Sequence, residues 1–321
     1  MEVEKLRTAI LFPPLMKLKK GDFKNLYDRF PLVREQFEQA SDIIGKDLAK
    51  SFFLENEAMT NRGDIARTSI VTISSALYKL IRNEISQPDF YLGPSLGQVN
   101  AIHCSGSLDF TDTVKMIQAM CLMEAEEKRN KGNGVYFFYN IDTEVLDDHI
   151  TELRNKGCTL EPCMYGTSNQ MIVNGDTKSL EELSSKISPL GGLGITIPYG
   201  PPGHCSLLQS VKERFENEFM PMIKPVNPIK PLVSNVTATP LYTGKEIANE
   251  LVNQYTKPVQ WYQSLKFLAE NNVQKLIVVG PGNFVAKSLQ FTDIDFEVES
   301  YLVAEEINKI CTRSSSSSIG G

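Results

Sequence analysis

A serine held between two glycines, Gly93-Pro94-Ser95-Leu96-Gly97, stands between a short apolar strand at 89–92 and a helix opening over 98–103. A strand that runs into a helix through so tight a turn must reverse sharply, and the turn lifts the serine hydroxyl clear of the backbone. Glycine is needed where a neighbouring side chain would collide with that crowded backbone. Short apolar runs at 8–12, 89–92, 232–235 and 276–279 alternate with helical periodicity at 30–48, 65–81, 110–128, 244–254 and 261–271. In the third of these helices Val114, Ile117, Met120, Cys121 and Met123 recur at helical spacing and form a core face. The alternation predicts an α/β fold with a parallel sheet covered on both faces. In such sheets reacting groups gather at the carboxyl ends of the strands, where Ser95 falls. The competing reading is a glycine-rich turn whose serine only caps a helix.

Between 132 and 198 the texture changes. A strand at 135–139, a helix at 147–156, a strand at 171–173, a helix at 180–187 and a closing strand describe a small α+β unit inserted into the larger one. The expected organisation is a large core from 1–131 and 199–313, the inserted unit at 132–198, and a flexible Ser/Gly tail at 314–321.

The chain has 321 residues, 41% of them apolar, enough for one sizeable core and a second smaller one. Its formal net charge of −6 argues against nucleic acid as the main partner, because phosphate-binding surfaces are basic. No stretch approaches the run of about 20 apolar residues that spans a bilayer. The charged start, Met1-Glu2-Val3-Glu4-Lys5-Leu6-Arg7, leads straight into a core strand and does not read as a signal peptide. Six cysteines (Cys104, Cys121, Cys158, Cys163, Cys205 and Cys311) form no C-x-x-C pair and have no histidine at zinc spacing. Reduced structural thiols in a cytoplasmic protein, with no metal and no other cofactor, are the expectation.

A serine hydroxyl needs a base to become a nucleophile. The chain has three histidines. His103 lies eight residues beyond Ser95, about 12 Å along the same helix at 1.5 Å per residue, and points away. His149 sits in an acidic stretch with Asp142, Glu144, Asp147 and Asp148 that reads as a solvated helix start. His204 follows the rigid loop Tyr199-Gly200-Pro201-Pro202-Gly203 and leads into a helical run at 205–219. Loops held by a scaffold commonly carry site residues. Elimination leaves His204 as the base, against the plainer reading of a surface or capping histidine.

In this order along the chain, several segments carry a resemblance. Phe12-Pro13 stands where a Phe-Pro-Gly-Gln-Gly motif begins, and Gly93-Pro94-Ser95-Leu96-Gly97-Gln98 matches a Gly-His-Ser-Leu-Gly-Glu elbow. Gly203-His204-Cys205-Ser206-x-Leu208 matches Phe-His-Ser-x-Leu-Met, and Ser234-Asn235-Val236-Thr237-Ala238 matches Ser-Asn-Val-x-Ala. Gln254-x-x-x-Pro258-Val259-x-Trp261 and Gly280-Pro281-Gly282 complete the set. Over almost its whole length the chain resembles the malonyl-CoA:acyl-carrier-protein transacylases and the acyltransferases of polyketide synthases. The resemblance implies a hydrolase-like α/β core with an inserted ferredoxin-like subdomain. It also implies a Ser95–His204 dyad whose histidine is oriented by a backbone carbonyl or amide near the elbow rather than by an aspartate.

Departures from the family pattern bear on the substrate. The family's arginine, which pairs with the free carboxylate of malonyl, aligns with Met120, whose thioether cannot replace a planar cationic fork. Gly-Gln-Gly after Phe12-Pro13 has become Pro14-Leu15-Met16, and Thr-Gln-Pro-Ala has become Ala66-Arg67-Thr68-Ser69. Gly203, before the histidine, leaves room. The expected pocket is lined by Met16, Met120 and open space near Gly203, and suits a longer or less charged acyl group. A competing idea has Arg67 turning into the pocket to supply the missing cation, against the ordinary solvent-facing position of an arginine near a helix start. The backbone N–H groups of Leu96 and Leu15 would form the oxyanion hole. Asn235 and Gln254 would support the histidine or the polar network of the pocket, unless they are a turn asparagine and an exposed helix glutamine.

By this resemblance the chain is a trans-acting acyltransferase of polyketide or hybrid peptide–polyketide assembly. It would take an acyl group from an acyl-CoA or acyl-carrier-protein donor and pass it to the phosphopantetheine arm of an acyl carrier protein. Lys17, Lys19 and Lys20, with Lys24, would receive that acidic partner, unless they are only a solvated face. The same pair of residues would serve a hydrolase that releases stalled acyl groups from carrier proteins. An α/β-hydrolase esterase fits less well, because no His-Gly-Gly-Gly loop and no acid in a recognisable motif accompany His204. A non-catalytic scaffold is disfavoured by the survival of both Ser95 and His204.

Overall fold

In a computed structural model of the chain, residues 6–127, 132–198 and 202–317 are described, with 311–317 described as backbone only. The strands are β1 (Arg7–Leu11), β2 (Phe90–Leu92), β3 (Asn133–Tyr139), β4 (Leu160–Thr167), β5 (Gln170–Asp176), β6 (Leu193–Thr196), β7 (Leu232–Val233), β8 (Pro240–Leu241), β9 (Val273–Val279) and β10 (Glu297–Tyr301). The α-helices are α1 (Lys24–Arg29), α2 (Pro31–Ile44), α3 (Glu57–Thr60), α4 (Gly63–Ile81), α5 (Leu96–Cys104), α6 (Phe110–Glu126), α7 (Thr143–Asn155), α8 (Thr177–Ile187), α9 (Gln209–Arg214), α10 (Gly244–Asn253), α11 (Trp261–Glu270), α12 (Phe284–Leu289) and α13 (Ala304–Ser317).

Six strands form the larger sheet in the order β10-β9-β1-β2-β7-β8, parallel throughout except for the closing β7–β8 pair. Its strands β1, β2, β7 and β9 are apolar on both sides, and the two sides enter different cores. Ile10, Tyr91, Leu232 and Ile277 face one core, while Ala9, Leu11, Phe90, Val233 and Leu276 face the other. Alternation along a strand therefore sorts residues between two covered faces rather than between core and water. Full burial of each such aliphatic side chain contributes ~1.5–3 kcal/mol. The short strand β2 lies between β1 and β7, so its carboxyl end, where Ser95 follows, opens at the middle of the sheet.

The smaller sheet is antiparallel, in the order β4-β5-β3-β6, and its elements run strand, helix, strand, strand, helix, strand. That order and succession are the ferredoxin-like arrangement. Phe138, Met171 and Val173 pack with Leu146, Ile150, Leu180 and Leu183 of α7 and α8. The opposite face of the same strands, through Ile172 and Asn174, looks toward the elbow.

Several elements differ from the sequence expectation. Strand β4 was not expected, because Pro162 and Gly166 break its pattern; the ladder shifts register at Pro162/Met164 and at Tyr165/Thr167 to accommodate them. The helix expected over 30–48 stops at Ile44, where Gly45 takes the left-handed conformation at φ 65°. The run at 205–219 is a chain of short 3-10, α and π segments rather than one helix. Beyond 280 the edge strand β10 and the helices α12 and α13 were not foreseen, and α13 continues through Ser317, past the expected start of a flexible tail. Tyr199, Gly200 and Pro201 and the last four residues lie outside the described residues.

Candidate active site

The elbow is as tight as the sequence requires. Ser95 sits at φ 56° and ψ −114°, a region that side chains other than glycine rarely enter. A Cβ on Gly93 or Gly97 would lie inside van der Waals contact with the Phe12 carbonyl oxygen, so only glycine fits at either place. Asn235 clamps the turn from both sides. Its Oδ1 accepts from the Ser95 amide at 2.7 Å, and its Nδ2 donates to the Gly93 carbonyl at 2.9 Å. Asn235 is in turn held by Glu250 of α10, whose carboxylate accepts from the Asn235 amide at 2.6 Å and from Ser234 Oγ at 2.6 Å. Burial pushes the Glu250 carboxyl above its ordinary value, against the hydrogen bonds that favour its charged form.

Ser95 Oγ and His204 Nε2 are 2.8 Å apart. The other ring nitrogen, Nδ1, is 2.7 Å from the Gln254 carbonyl oxygen. A carbonyl can only accept, so Nδ1 carries the proton and Nε2 presents its lone pair to the serine hydroxyl. Burial lowers the His204 pKa below 6.5, although the bond to Gln254 acts in the other direction, so the ring is neutral at pH 7. The orienting carbonyl comes from the residue after α10, not from the elbow. The histidine loop is fixed by the smaller sheet and by the segment after α10. Asn174 Nδ2 donates to the Gly203 carbonyl at 2.7 Å, Ser206 N to Glu161 at 2.9 Å, and Cys205 N to the Tyr255 carbonyl at 3.1 Å.

The pair opens on a cavity of about 230 Å³ between the elbow and the smaller sheet. Leu15, Leu96, Arg67, Met120, Gly203 and Gln254 all line it. The amides of Leu15 and Leu96 donate to no other group among the described residues, and Leu96 is the first residue of α5, where helix amides point outward unsatisfied. Among the described residues, nothing lies within 4 Å of where a Cβ on Gly203 would stand.

Other expectations need correction. Met16 does not line the cavity; its sulfur packs against Gly282 instead. Asn235 supports the elbow rather than the histidine or the pocket wall. Gln254 is buried, not an exposed helix glutamine. Arg67 is not solvent-facing: it lies in the second turn of α4 and its guanidinium is taken by Glu124 of α6 through two hydrogen bonds of 3.0 and 2.7 Å. Burial opposes the guanidinium charge, but Glu124 more than offsets it and holds the group fully protonated. Lys17, Lys19 and Lys20 are exposed on the segment after β1 and do not line the cavity.

Sequence reasoning missed Glu124, Asn174, Glu250 and Tyr255. Glu124 follows Met120 by four residues and so shares its helical face, a signal that was present. Asn174 alternates with Ile172 on the inward face of β5. Nothing local distinguishes Glu250 or Tyr255.

The other two histidines are placed elsewhere. His149 lies on α7 beside Glu152 at 3.8 Å. His103 Nε2 is 2.8 Å from Ser75 Oγ and its Nδ1 is 3.0 Å from the Leu108 carbonyl.

No family model matches the chain. A malonyl CoA-acyl carrier protein transacylase of Bacillus subtilis is 28% identical over 284 residues, covering 88% of this chain and 70% of that protein. Among solved structures, a malonyl-transacylase in complex with a type II PKS acyl-carrier protein superposes with a TM-score of 0.89 at 21% identity, covering 96% of this chain and 99% of that one. FabD from Acinetobacter baumannii superposes with a TM-score of 0.87 at 21% identity, covering 97% and 99%. The sequence relatives and structural neighbours of this chain are thus malonyl-CoA:acyl-carrier-protein transacylases, and its fold is theirs.

Proposed function

We propose that this chain is a serine acyltransferase of the malonyl-CoA:acyl-carrier-protein transacylase kind, moving an acyl group from a CoA or carrier-protein thioester to an acyl carrier protein. The observation that carries the reading is the relay from Ser95 Oγ through His204 to the Gln254 carbonyl, at 2.8 and 2.7 Å, at the wall of a cavity. Ser95 Oγ attacks the thioester carbonyl carbon while Nε2 of His204 takes its proton. The oxyanion of the tetrahedral intermediate accepts from the amides of Leu96 and Leu15. Collapse expels the thiolate, which takes the proton back from His204, and leaves an acyl-serine. A carrier-protein thiol then attacks that ester as His204 takes its proton, and collapse breaks the ester bond to release Ser95 Oγ, which recovers the proton from His204. The carbonyl of Gln254 holds the ring in the required tautomer and needs no carboxylate to do so.

The context we favour is polyketide or hybrid peptide–polyketide assembly, on the analogy of the neighbour bound to a type II PKS carrier protein. Release of the acyl group to water is the second reading. It is favoured by Met120, which leaves the position of the family's carboxylate-binding arginine without a cation. Intact-mass measurement after incubation with acyl thioesters tests the common step: the wild type should gain the acyl mass and Ser95→Ala should not. Adding a carrier protein and quantifying acyl-carrier against free acid separates transfer from hydrolysis. An unlabelled, folded wild type would remove both readings.

A further inference from the structure

We infer that the cavity selects an uncharged acyl group bearing a hydroxyl or carbonyl along its chain, in preference to one ending in a free carboxylate. This rests on the acyl-serine reading above. Two sets of contacts carry it.

The first is the state of the cation. Arg67 is the permanent cation of the cavity wall among the described residues, and Glu124 already occupies its planar fork with both oxygens. The two side chains are only 16% and 10% exposed. An incoming carboxylate would have to displace Glu124 and leave it charged and unpaired in a buried position, a strongly unfavourable exchange. The wall therefore presents a neutral ion pair instead of an anion receptor.

The second is a set of hydrogen-bonding groups with no protein partner. Among the described residues, Asn174 Oδ1, Gln254 Nε2 and the Tyr255 hydroxyl are buried without one, and all three residues line this cavity. They are 1%, 4% and 3% exposed. An acceptor, a donor and a hydroxyl thus belong to residues of the same wall as the apolar Met120, Ile117 and Ile172. Burial pushes the Tyr255 phenol well up and the charges of Glu124 and Arg67 both act on it, so the hydroxyl stays protonated beside the pair. Buried polar groups of this kind are normally satisfied, and a ligand that satisfies them is preferred over one that cannot. A β-hydroxyl or β-carbonyl on a short hydrocarbon chain has that chemistry without net charge.

The test is acyl-serine formation by the intact chain from four CoA thioesters of similar size: butyryl, 3-hydroxybutyryl, 3-oxobutyryl and malonyl. The expected order places a hydroxy- or oxoacyl group about 5-fold above butyryl, roughly the value of one net hydrogen bond, and at least about 10-fold above malonyl. Tyr255→Phe should lower the ratio of 3-hydroxybutyryl to butyryl loading by about 5-fold. Glu124→Gln, checked for folding by circular dichroism, should release Arg67 and raise malonyl loading at least about 10-fold. Malonyl loading at or above the hydroxy- and oxoacyl groups in the wild type overturns the inference, whatever Glu124→Gln does, and leaves the acyl-serine reading intact. Equal loading of butyryl, 3-hydroxybutyryl and 3-oxobutyryl overturns it too. Failure of all four to label Ser95 overturns the acyl-serine reading itself.

Discussion

Ser95 and His204 share a property that their hydrogen bond alone does not reveal: both hold positive φ, at 56° each, among six described non-glycine residues that do so. Each such residue costs of order 1–3 kcal/mol and persists only where the surroundings over-determine it. Ser75 and His103 form a second serine–histidine–carbonyl relay with nearly the same spacings, 2.8 and 3.0 Å, yet Ser75 lies inside α4, fully buried and away from the cavity. Relay geometry is thus insufficient; the strained backbone and the cavity single out Ser95. The sequence argument reached the same serine from its flanking glycines and the same histidine by elimination, both strong because they are local or few. The pH response follows from His204. Burial lowers its pKa from 6.5 in the folded chain, so the ring is more than half deprotonated at pH 6.5 and the base form is lost on the acid side. Acyl-serine formation should be flat from about pH 7.5 to 8 and decline on the acid side, with its half-maximal point below pH 6.5. A half-maximal point above pH 7 in the rate–pH profile would contradict the neutral, buried imidazole.

At the scale of elements, the site depends on α10 reaching two partners at once. Glu250, in its last turn, holds Ser234 and Asn235 and through them the elbow, while Gln254, just past its end, orients His204. A single helix therefore aligns Ser95 with His204. The parts of this arrangement that were legible in the chain are those with periodicity: the amphipathic helices and the apolar strands. Pairings across elements were not. Arg67 and Glu124 are 57 positions apart on α4 and α6, and β4 was hidden by a proline and a glycine that only its bulges explain. Long-range contacts leave no local signature, so the neutralised arginine could not be read from spacing. Glu250→Ala should remove two short hydrogen bonds to Ser234 and Asn235 from a buried network, destabilising the chain by ~2–4 kcal/mol. Because the elbow loosens as well, acylation should slow more in kcat than in KM. Chemical denaturation beside steady-state kinetics checks both; a loss of stability with unchanged kcat would mean that the elbow holds its shape without α10.

The whole molecule places the Ser95–His204 pair and its cavity between two sheets with different tasks. The parallel sheet supplies the elbow, and the smaller antiparallel sheet supplies Asn174 and Ile172 to the facing wall, so the cavity exists only because the inserted unit folds back on the core. Sequence texture showed that an insertion was present, but not that its inward face would complete the site. Charge is also unevenly spread. The chain carries a net −6, yet Lys17, Lys19 and Lys20 are exposed on the segment that leaves β1, the strand neighbouring β2, which leads into Ser95. An acidic carrier protein approaching an acidic molecule would meet general repulsion, relieved locally at this basic segment. Charges so exposed act over about 10 Å at 0.1 M salt, so they steer encounter more than they bind tightly. Reversing Lys19 and Lys20 to Glu should raise the KM for the carrier protein by roughly 5- to 10-fold at low salt, with the difference shrinking as salt is added. Measuring acyl-serine formation from acyl-CoA in the same variant separates docking from chemistry. If the carrier KM stays at the wild-type value across the salt series, the partner approaches from another side, and these lysines are a solvated face.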